Sequence, residues 1–152
     1  MRIIWIAAVV AVVGCNVDSV AWDRGLRPVA AEGSTPEFTA RVDAAVAVWQ
    51  RVLGCPDTLS GAAGTGPIYE KSASDFASLN LGPTVSGETW PDKVWINNAH
   101  PELEDEVLVH EIGHVLGLEH IVPADDPGSV MHPFDDGIVL PDDADVERVG
   151  CR

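Results

Sequence analysis

The chain has 152 residues, enough for one domain with a core of its own, and 46% of them are hydrophobic. Nine basic and twenty-four acidic residues give a formal net charge of −15. Because phosphate backbones are bound by basic stripes, this charge excludes nucleic acid as an expected partner. It indicates a soluble exported protein whose acidic surface either binds cations or is simply solvated.

The first residues have the pattern of an export signal. Met1-Arg2 is a short basic region, and residues 3–13 form an apolar run that is shorter than the about 20 residues needed to span a membrane. The run ends in Val12-Val13-Gly14-Cys15, which resembles a bacterial lipobox. We expect residues 1–14 to be removed, Cys15 to be lipidated and residues 15–24 to form a tether; ordinary secretion is the alternative. The expected location is the bacterial cell envelope, with membrane contact only through the lipid, or outside the cell.

Two further cysteines, Cys55 and Cys151, lie far apart in the sequence. In an oxidising envelope such a pair predicts a disulfide, and two buried thiols are the alternative. A bridge would attach the last helix to the body of the domain. Closing a loop of about 96 residues would stabilise the fold by up to ~4 kcal/mol in the chain-entropy model.

The first part of the domain predicts a strand followed by a helix. Residues 26–31 indicate an edge strand, where Pro28 is tolerated. Ser34-Thr35-Pro36-Glu37 matches a capping box with an early proline, so a helix is predicted from there to about Leu53, ended by Gly54 and Pro56. Apolar residues at a spacing of three and four predict its buried face: Phe38, Val42, Ala45, Val46, Trp49 and Leu53.

The middle of the chain is less regular. Residues 57–66 form a glycine-rich loop without a phosphate-binding pattern, and residues 67–72 predict a strand. Residues 76–91 are ambiguous, whereas residues 93–97 predict a strand that leads into the next helix. Four acidic residues at the start of that helix would interact favourably with its dipole: Glu102, Glu104, Asp105 and Glu106. We leave open that they bind calcium instead.

That helix carries the motif H-E-x-x-H-x-x-G-x-x-H. His110 and His114 stand one turn apart on the same face and can bind one Zn²⁺ from one side. Glu111 lies just off that face, within reach of a metal-bound water. Gly117 tolerates the left-handed conformation that ends a helix, so that His120 can return to the metal as the third ligand.

Three imidazoles leave the fourth tetrahedral position to water, which indicates a catalytic rather than a structural zinc. The metal lowers the pKa of this water toward ~7, and a neighbouring carboxylate can take its proton. The opposite helix face is apolar and predicts a core element: Leu108, Ile112, Val115 and Leu116. Two helical histidines alone are more often solvated or capping residues, but the added glycine and third histidine argue against coincidence.

Downstream, Ser129-Val130-Met131-His132-Pro133 places Met131 eleven residues after His120. With this methionine the motif resembles the metzincin metallopeptidases, in which a methionine turn lies beneath the zinc. The G-L-x-H ending and the M-x-P turn are most similar to matrixins, although His132 stands where matrixins usually carry an aromatic residue. The resemblance implies an α+β metzincin-like catalytic domain over residues 25–152, with a twisted mixed sheet and about three helices.

The resemblance also implies a function. It implies a zinc endopeptidase, with Glu111 as general base and an extended polypeptide as substrate. We expect the protein to be a monomer. The substrate would pair with an edge strand between Leu79 and Trp90. Residues 134–140 would form a wall of the substrate pocket, and residues 141–150 a closing helix.

Matrixins often carry a second, structural zinc, but only His100 and His132 remain for one here, so we expect a single zinc. With about ten residues between Cys15 and the first strand, we expect no inhibitory propeptide with a cysteine that caps the zinc. Two alternatives to a protease stay open. One is a zinc-containing envelope binding protein without catalysis, and the other is a zinc hydrolase that acts on a non-peptide bond.

Overall fold

The structure is a computed structural model that describes residues 21–23, 25–55, 57–82, 84–133 and 137–150. The predicted signal peptide, Cys15 and Cys151 lie outside the described residues. The elements follow in the order β1 (Leu26–Ala30), α1 (Pro36–Leu53), β2 (Gly64–Lys71), α2 (Ala73–Ser78), β3 (Gly87–Trp90), β4 (Lys93–Asn97), α3 (Glu104–Val115) and α4 (Asp143–Val149).

The four strands form one mixed sheet in the order β1-β2-β4-β3. Strands β1, β2 and β4 run parallel, and β3 pairs with β4 in the antiparallel direction and forms one edge. A parallel pair needs a crossover connection, and α1 supplies it between β1 and β2. The predicted α+β architecture with a mixed sheet is confirmed, with four helices rather than about three in the described part of the chain.

Helices α1 and α3 pack together over the inner side chains of the sheet, among them Ile68, Val94 and Ile96. The predicted inner face of α1 is confirmed, because its six residues are the buried ones of that helix. Trp49 is fully buried, and its indole Nε1 donates a hydrogen bond to the carbonyl oxygen of Val109 at 2.9 Å. Since an unpaired buried N–H would be costly, this bond fixes how α3 lies on α1.

Some local predictions are wrong. The N-cap of α1 is Thr35, whose side chain accepts from the main-chain N–H of Phe38, so the capping box predicted from Ser34 does not form. Strand β2 begins at Gly64, before the predicted residue 67. Helix α2 was not predicted, although Ser72 and Asp75 form a reciprocal capping box at its start, a signal that the sequence contains.

The end of the predicted tether packs into the domain instead of extending from it. Trp22 is buried, its N–H donates to Val115 O at 2.9 Å, and its indole Nε1 donates to Trp90 O at 2.8 Å. Its ring occupies the space over Gly66, where an added Cβ would lie 2.0 Å from a ring atom. The prediction of a free tether is therefore wrong at Trp22.

Cys55 forms a disulfide. Cys151, the partner that we predicted, lies outside the described residues, so this pairing stays a prediction. Among the described residues, no helix is both long enough and apolar enough to cross a membrane.

Candidate metal centre and active site

The three histidines of the motif converge at the end of α3. The Nε2 atom of His110 lies 3.1 Å from those of His114 and His120, and the latter two atoms are 3.2 Å apart. Zn–N bonds of 2.0–2.1 Å in a tetrahedron would separate the nitrogen atoms by roughly 3.3 Å. The triangle therefore has the size of a three-histidine metal site.

The other ring nitrogens of the first two histidines are held by main-chain carbonyls. The Nδ1 of His110 donates to Val130 O at 2.8 Å, and the Nδ1 of His114 donates to Leu118 O at 2.7 Å. With the proton on Nδ1, the Nε2 lone pair of each ring points at the other imidazoles. Lone pairs at this distance repel one another, so the donor set fits a bound cation at the centre of the triangle.

The protonation state also suits a metal. Burial lowers the pKa of His110 well below its usual range, and the neighbouring His114 and His120 lower it further. Burial also lowers the pKa of His114, and burial together with His114 lowers that of His120 to about 4. All three rings are therefore neutral at pH 7, which is the form that binds a metal.

The turn after α3 brings in the third histidine and also orients the second. Gly117 has a φ of +90°, a left-handed conformation that a side chain would strain, and its N–H donates to His114 O at 2.9 Å. The Leu118 N–H donates to Gly113 O at 3.0 Å, so the residue whose carbonyl holds His114 is itself bonded to the end of α3. Helix α3 ends at Val115, and the left-handed Gly117 follows two residues later.

Met131 is fully buried directly below the motif helix. A Cβ added at Gly113 would lie 2.3 Å from the Met131 sulfur, so the sulfur rests against the helix backbone between the two first ligands. The Met131 N–H donates to Ser129 Oγ at 3.0 Å, and Ile121 N–H donates to Met131 O at 3.0 Å. Because Val130 in the same turn holds His110, the turn that contains Met131 orients one of the three histidines.

The closing helix α4 anchors that turn through a residue that the sequence analysis missed. Asp145 is fully buried and accepts from Ser129 Oγ at 2.7 Å and from Val130 N–H at 3.0 Å. Arg148 donates to the same carboxylate at 2.5 Å. Asp145 also caps its own helix together with Asp142. The sequence signal that was available therefore indicated a capping role and not the contact with the methionine turn.

The general-base candidate, Glu111, is fully buried against the edge strand β3. Thr89 Oγ1 donates to Glu111 Oε2 at 2.5 Å, and Gly87 lies against the same carboxylate. The edge strand expected between Leu79 and Trp90 is present at residues 87–90. The contacts of Thr89 and Gly87 with Glu111 were missed, because no local pattern in β3 indicates them.

Acidic groups elsewhere are engaged by protein partners. Oxygen atoms of Asp126, Asp142 and Asp145 lie within 4.8 Å of one another, and Arg148 donates to Asp126 at 3.2 Å and to Asp145. Partial desolvation and the neighbouring Asp142 raise the pKa of Asp126.

At the start of α3, Glu104 pairs with Arg41, and Glu106 accepts from Gly137 N–H at 2.9 Å. Glu102 precedes the helix, so three of the four predicted acids fall in its first turn. Calcium binding by these acids stays a prediction.

The expected pocket wall is described only from residue 137 onward. Val139 and Leu140 are exposed, and with Ala44, Val48 and Val109 they line an apolar cavity of about 380 Å³ between α1 and α3. Val109 directly precedes His110, so this cavity lies beside the motif helix.

Residues 80–148 match the model of a peptidase family described as Matrixin. The matched stretch includes β3, β4, the three histidines, Glu111, the methionine turn and most of α4. The fold is consistent with that of a matrixin-like domain, and His110, His114 and His120 are a group that could bind a metal. The match and the geometry together support a matrixin-like metallopeptidase domain in this chain.

Proposed function

We propose that the protein is a zinc-dependent endopeptidase that hydrolyses peptide bonds with water as the nucleophile and Glu111 as the general base. The observation that carries this proposal is the convergence of three neutral imidazoles, with their Nε2 atoms within 3.2 Å of one another, at the end of the helix that also carries Glu111. Zinc held there would polarise the scissile carbonyl and acidify the attacking water.

Residues of the chain transfer the proton and orient the imidazoles. Glu111 accepts a proton from the attacking water as its oxygen bonds to the carbonyl carbon, and it returns this proton to the amine nitrogen as the C–N bond breaks. The carboxylate is thereby regenerated in each cycle. Val130 and Leu118 keep the imidazoles of His110 and His114 in the tautomer and orientation that the metal requires.

The edge strand β3 supports a polypeptide substrate over a small-molecule one. One side of β3 pairs with β4, and the other side is the edge of the sheet, where an extended chain can add as a further strand. Because Thr89 and Gly87 in this strand touch Glu111, a chain bound along β3 would pass close to the general base. Main-chain pairing of this kind is tolerant of sequence and suits an endopeptidase.

The test is hydrolysis of an unfolded protein substrate by the purified protein, with and without a chelator, together with a Glu111→Gln variant. We expect chelator-sensitive cleavage by the wild type and a loss of about 10²–10⁴-fold in the variant, with zinc still bound at one equivalent. Glu147→Gln in α4 is the matched control. Full activity of Glu111→Gln would contradict the assignment of the base. A wild type that binds zinc but cleaves nothing would instead favour the non-catalytic binding protein.

We also propose that Cys15 anchors the protein to a bacterial membrane, which rests on the sequence Val12-Val13-Gly14-Cys15. Mass spectrometry of the mature N-terminus checks this: a diacylglyceryl-modified Cys15 is expected, and an unmodified N-terminus nearby would show ordinary secretion instead.

A further inference from the structure

Two residues of β3 face the carboxylate of Glu111. Gly87 and Thr89 are two positions apart in the strand, so they lie on the same side of the sheet, toward α3. Both are buried, as is Glu111. The general base is therefore in contact with the same strand that forms the edge for a substrate.

The hydroxyl of Thr89 has one proton and two acceptors nearby. Its Oγ1 lies 2.5 Å from Glu111 Oε2 and 3.3 Å from the main-chain oxygen of the same residue. While the carboxyl group is ionised, all these glutamate oxygens are acceptors, so the hydroxyl donates to the closer one. A charge-assisted bond at this distance holds Oε2 in one place.

Gly87 lies against the other carboxylate oxygen of Glu111, Oε1. A Cβ built at this position would lie 2.3 Å from Glu111 Oε1 and 2.8 Å from both Cδ and Cγ. Gly87 is not among the glycines with positive φ, so its backbone would accept alanine. What the position requires is the empty space in which the carboxylate lies.

We propose that Gly87 and Thr89 together form a seat that orients the Glu111 carboxylate, with Thr89 as a positioning residue for the general base. This inference rests on the proposed function. A glutamate on a helix can adopt several rotamers, and a base that is displaced by about 1 Å can lose ~10²-fold in rate. The seat would remove this freedom before substrate binds, and a substrate paired with β3 would lie beside the base that activates the attacking water.

The test compares three variants in the zinc-loaded full-length protein. Thr89→Val removes the hydroxyl with little change in shape, Thr89→Ser restores it, and Gly87→Ala fills the space beside Oε1. Thr65→Val, at an exposed position in β2, is the control for the threonine change. Gly82→Ala is the control for the glycine change, since its added Cβ would meet its nearest neighbour, Thr84 Oγ1, at an ordinary 3.8 Å.

We expect kcat to fall about 10–100-fold in Thr89→Val and in Gly87→Ala, with KM within about twofold of wild type, because the base is used in the transition state. Thr89→Ser should stay within about threefold of wild type, and zinc stoichiometry and affinity should not change in any variant. If Thr89→Val fails to fold, as judged by circular dichroism, Gly87→Ala against Gly82→Ala decides.

Three results would overturn the proposal: a kcat of Thr89→Val near that of wild type, a loss that Thr89→Ser does not restore, or a change confined to KM. If any of these results occurs while Glu111→Gln is inactive, the positioning role of Gly87 and Thr89 is refuted and the assignment as an endopeptidase is retained. If the wild type itself cleaves nothing, both fail.

Discussion

The contact between Gly113 and Met131 makes a prediction in which two effects have opposite signs. Replacing Gly113 by alanine in the middle of α3 should stabilise an isolated helix by about 1 kcal/mol. In the protein, however, the new Cβ would lie 2.3 Å from the Met131 sulfur and 3.3 Å from Trp49 Cζ2. An ordinary contact begins at 3.4 Å, so the sulfur must move by at least 1.1 Å (3.4 − 2.3).

There is little room for this movement, because Met131 and Trp49 are both fully buried. Overpacking of this kind costs about 1–3 kcal/mol, which exceeds the gain in helix propensity. We expect Gly113→Ala to lower the free energy of unfolding of the metal-free protein by up to about 2 kcal/mol, the difference between the two effects. A shift of the methionine turn would also move Val130 O away from His110 Nδ1 and weaken zinc binding by ~10-fold or more.

Urea unfolding of the metal-free protein and competition of zinc against a chromophoric chelator measure the two effects. The double variant Gly113→Ala/Met131→Val is the control, because it removes the sulfur from the contact. The two substitutions should be coupled by about 0.5–3 kcal/mol, with the double variant less destabilised than the sum of the single ones. A single variant that is more stable than wild type and binds zinc equally well would refute the packing argument.

Two further predictions follow from the site. Asp145→Asn should weaken zinc binding by about 10–100-fold, because Asp145 accepts from the N–H of Val130 and the carbonyl of Val130 orients His110. The exposed control Asp143→Asn should leave the zinc affinity unchanged. Isothermal titration calorimetry measures both affinities. The pKa of His120 falls from 6.5 to about 4 in the folded metal-free protein, so the unfolded chain binds more protons between these values. Stability of the metal-free protein should therefore decrease as pH falls from 6.5 to about 4, and His120→Ala should reduce this loss in urea titrations at several pH values.

The sequence predicted those features that a single segment specifies. The buried face of α1, the bounds of β4 and the end of α3 before Gly117 each follow from periodicity or from one residue's conformational preference. The three histidines lie within eleven consecutive residues of one helix and the turn that follows it, so their convergence is also a local property.

The missed features depend on contacts between distant segments. Thr89 touches Glu111 across 22 positions and Asp145 touches Val130 across 15, and neither side chain is unusual in its own segment. Trp22 follows a polar stretch that predicts a tether, whereas its indole N–H donates to an acceptor 68 positions away. Patterns along the chain carry no information on such partners.

The functional residues of α3 are consequently oriented from several directions. The carbonyl of Val130 in the methionine turn holds His110, that of Leu118 in the following turn holds His114, and β3 holds Glu111. A helix that rotated or slid by a fraction of a turn would break the contacts of His110 with Val130 and of Glu111 with β3 at once. The bond from Trp49 to Val109 opposes such a movement from the α1 side. The motif thus determines which groups can bind a metal and take a proton, whereas their alignment depends on segments that surround the helix. Substitutions in those segments should therefore impair the site even where they leave every residue of the motif unchanged.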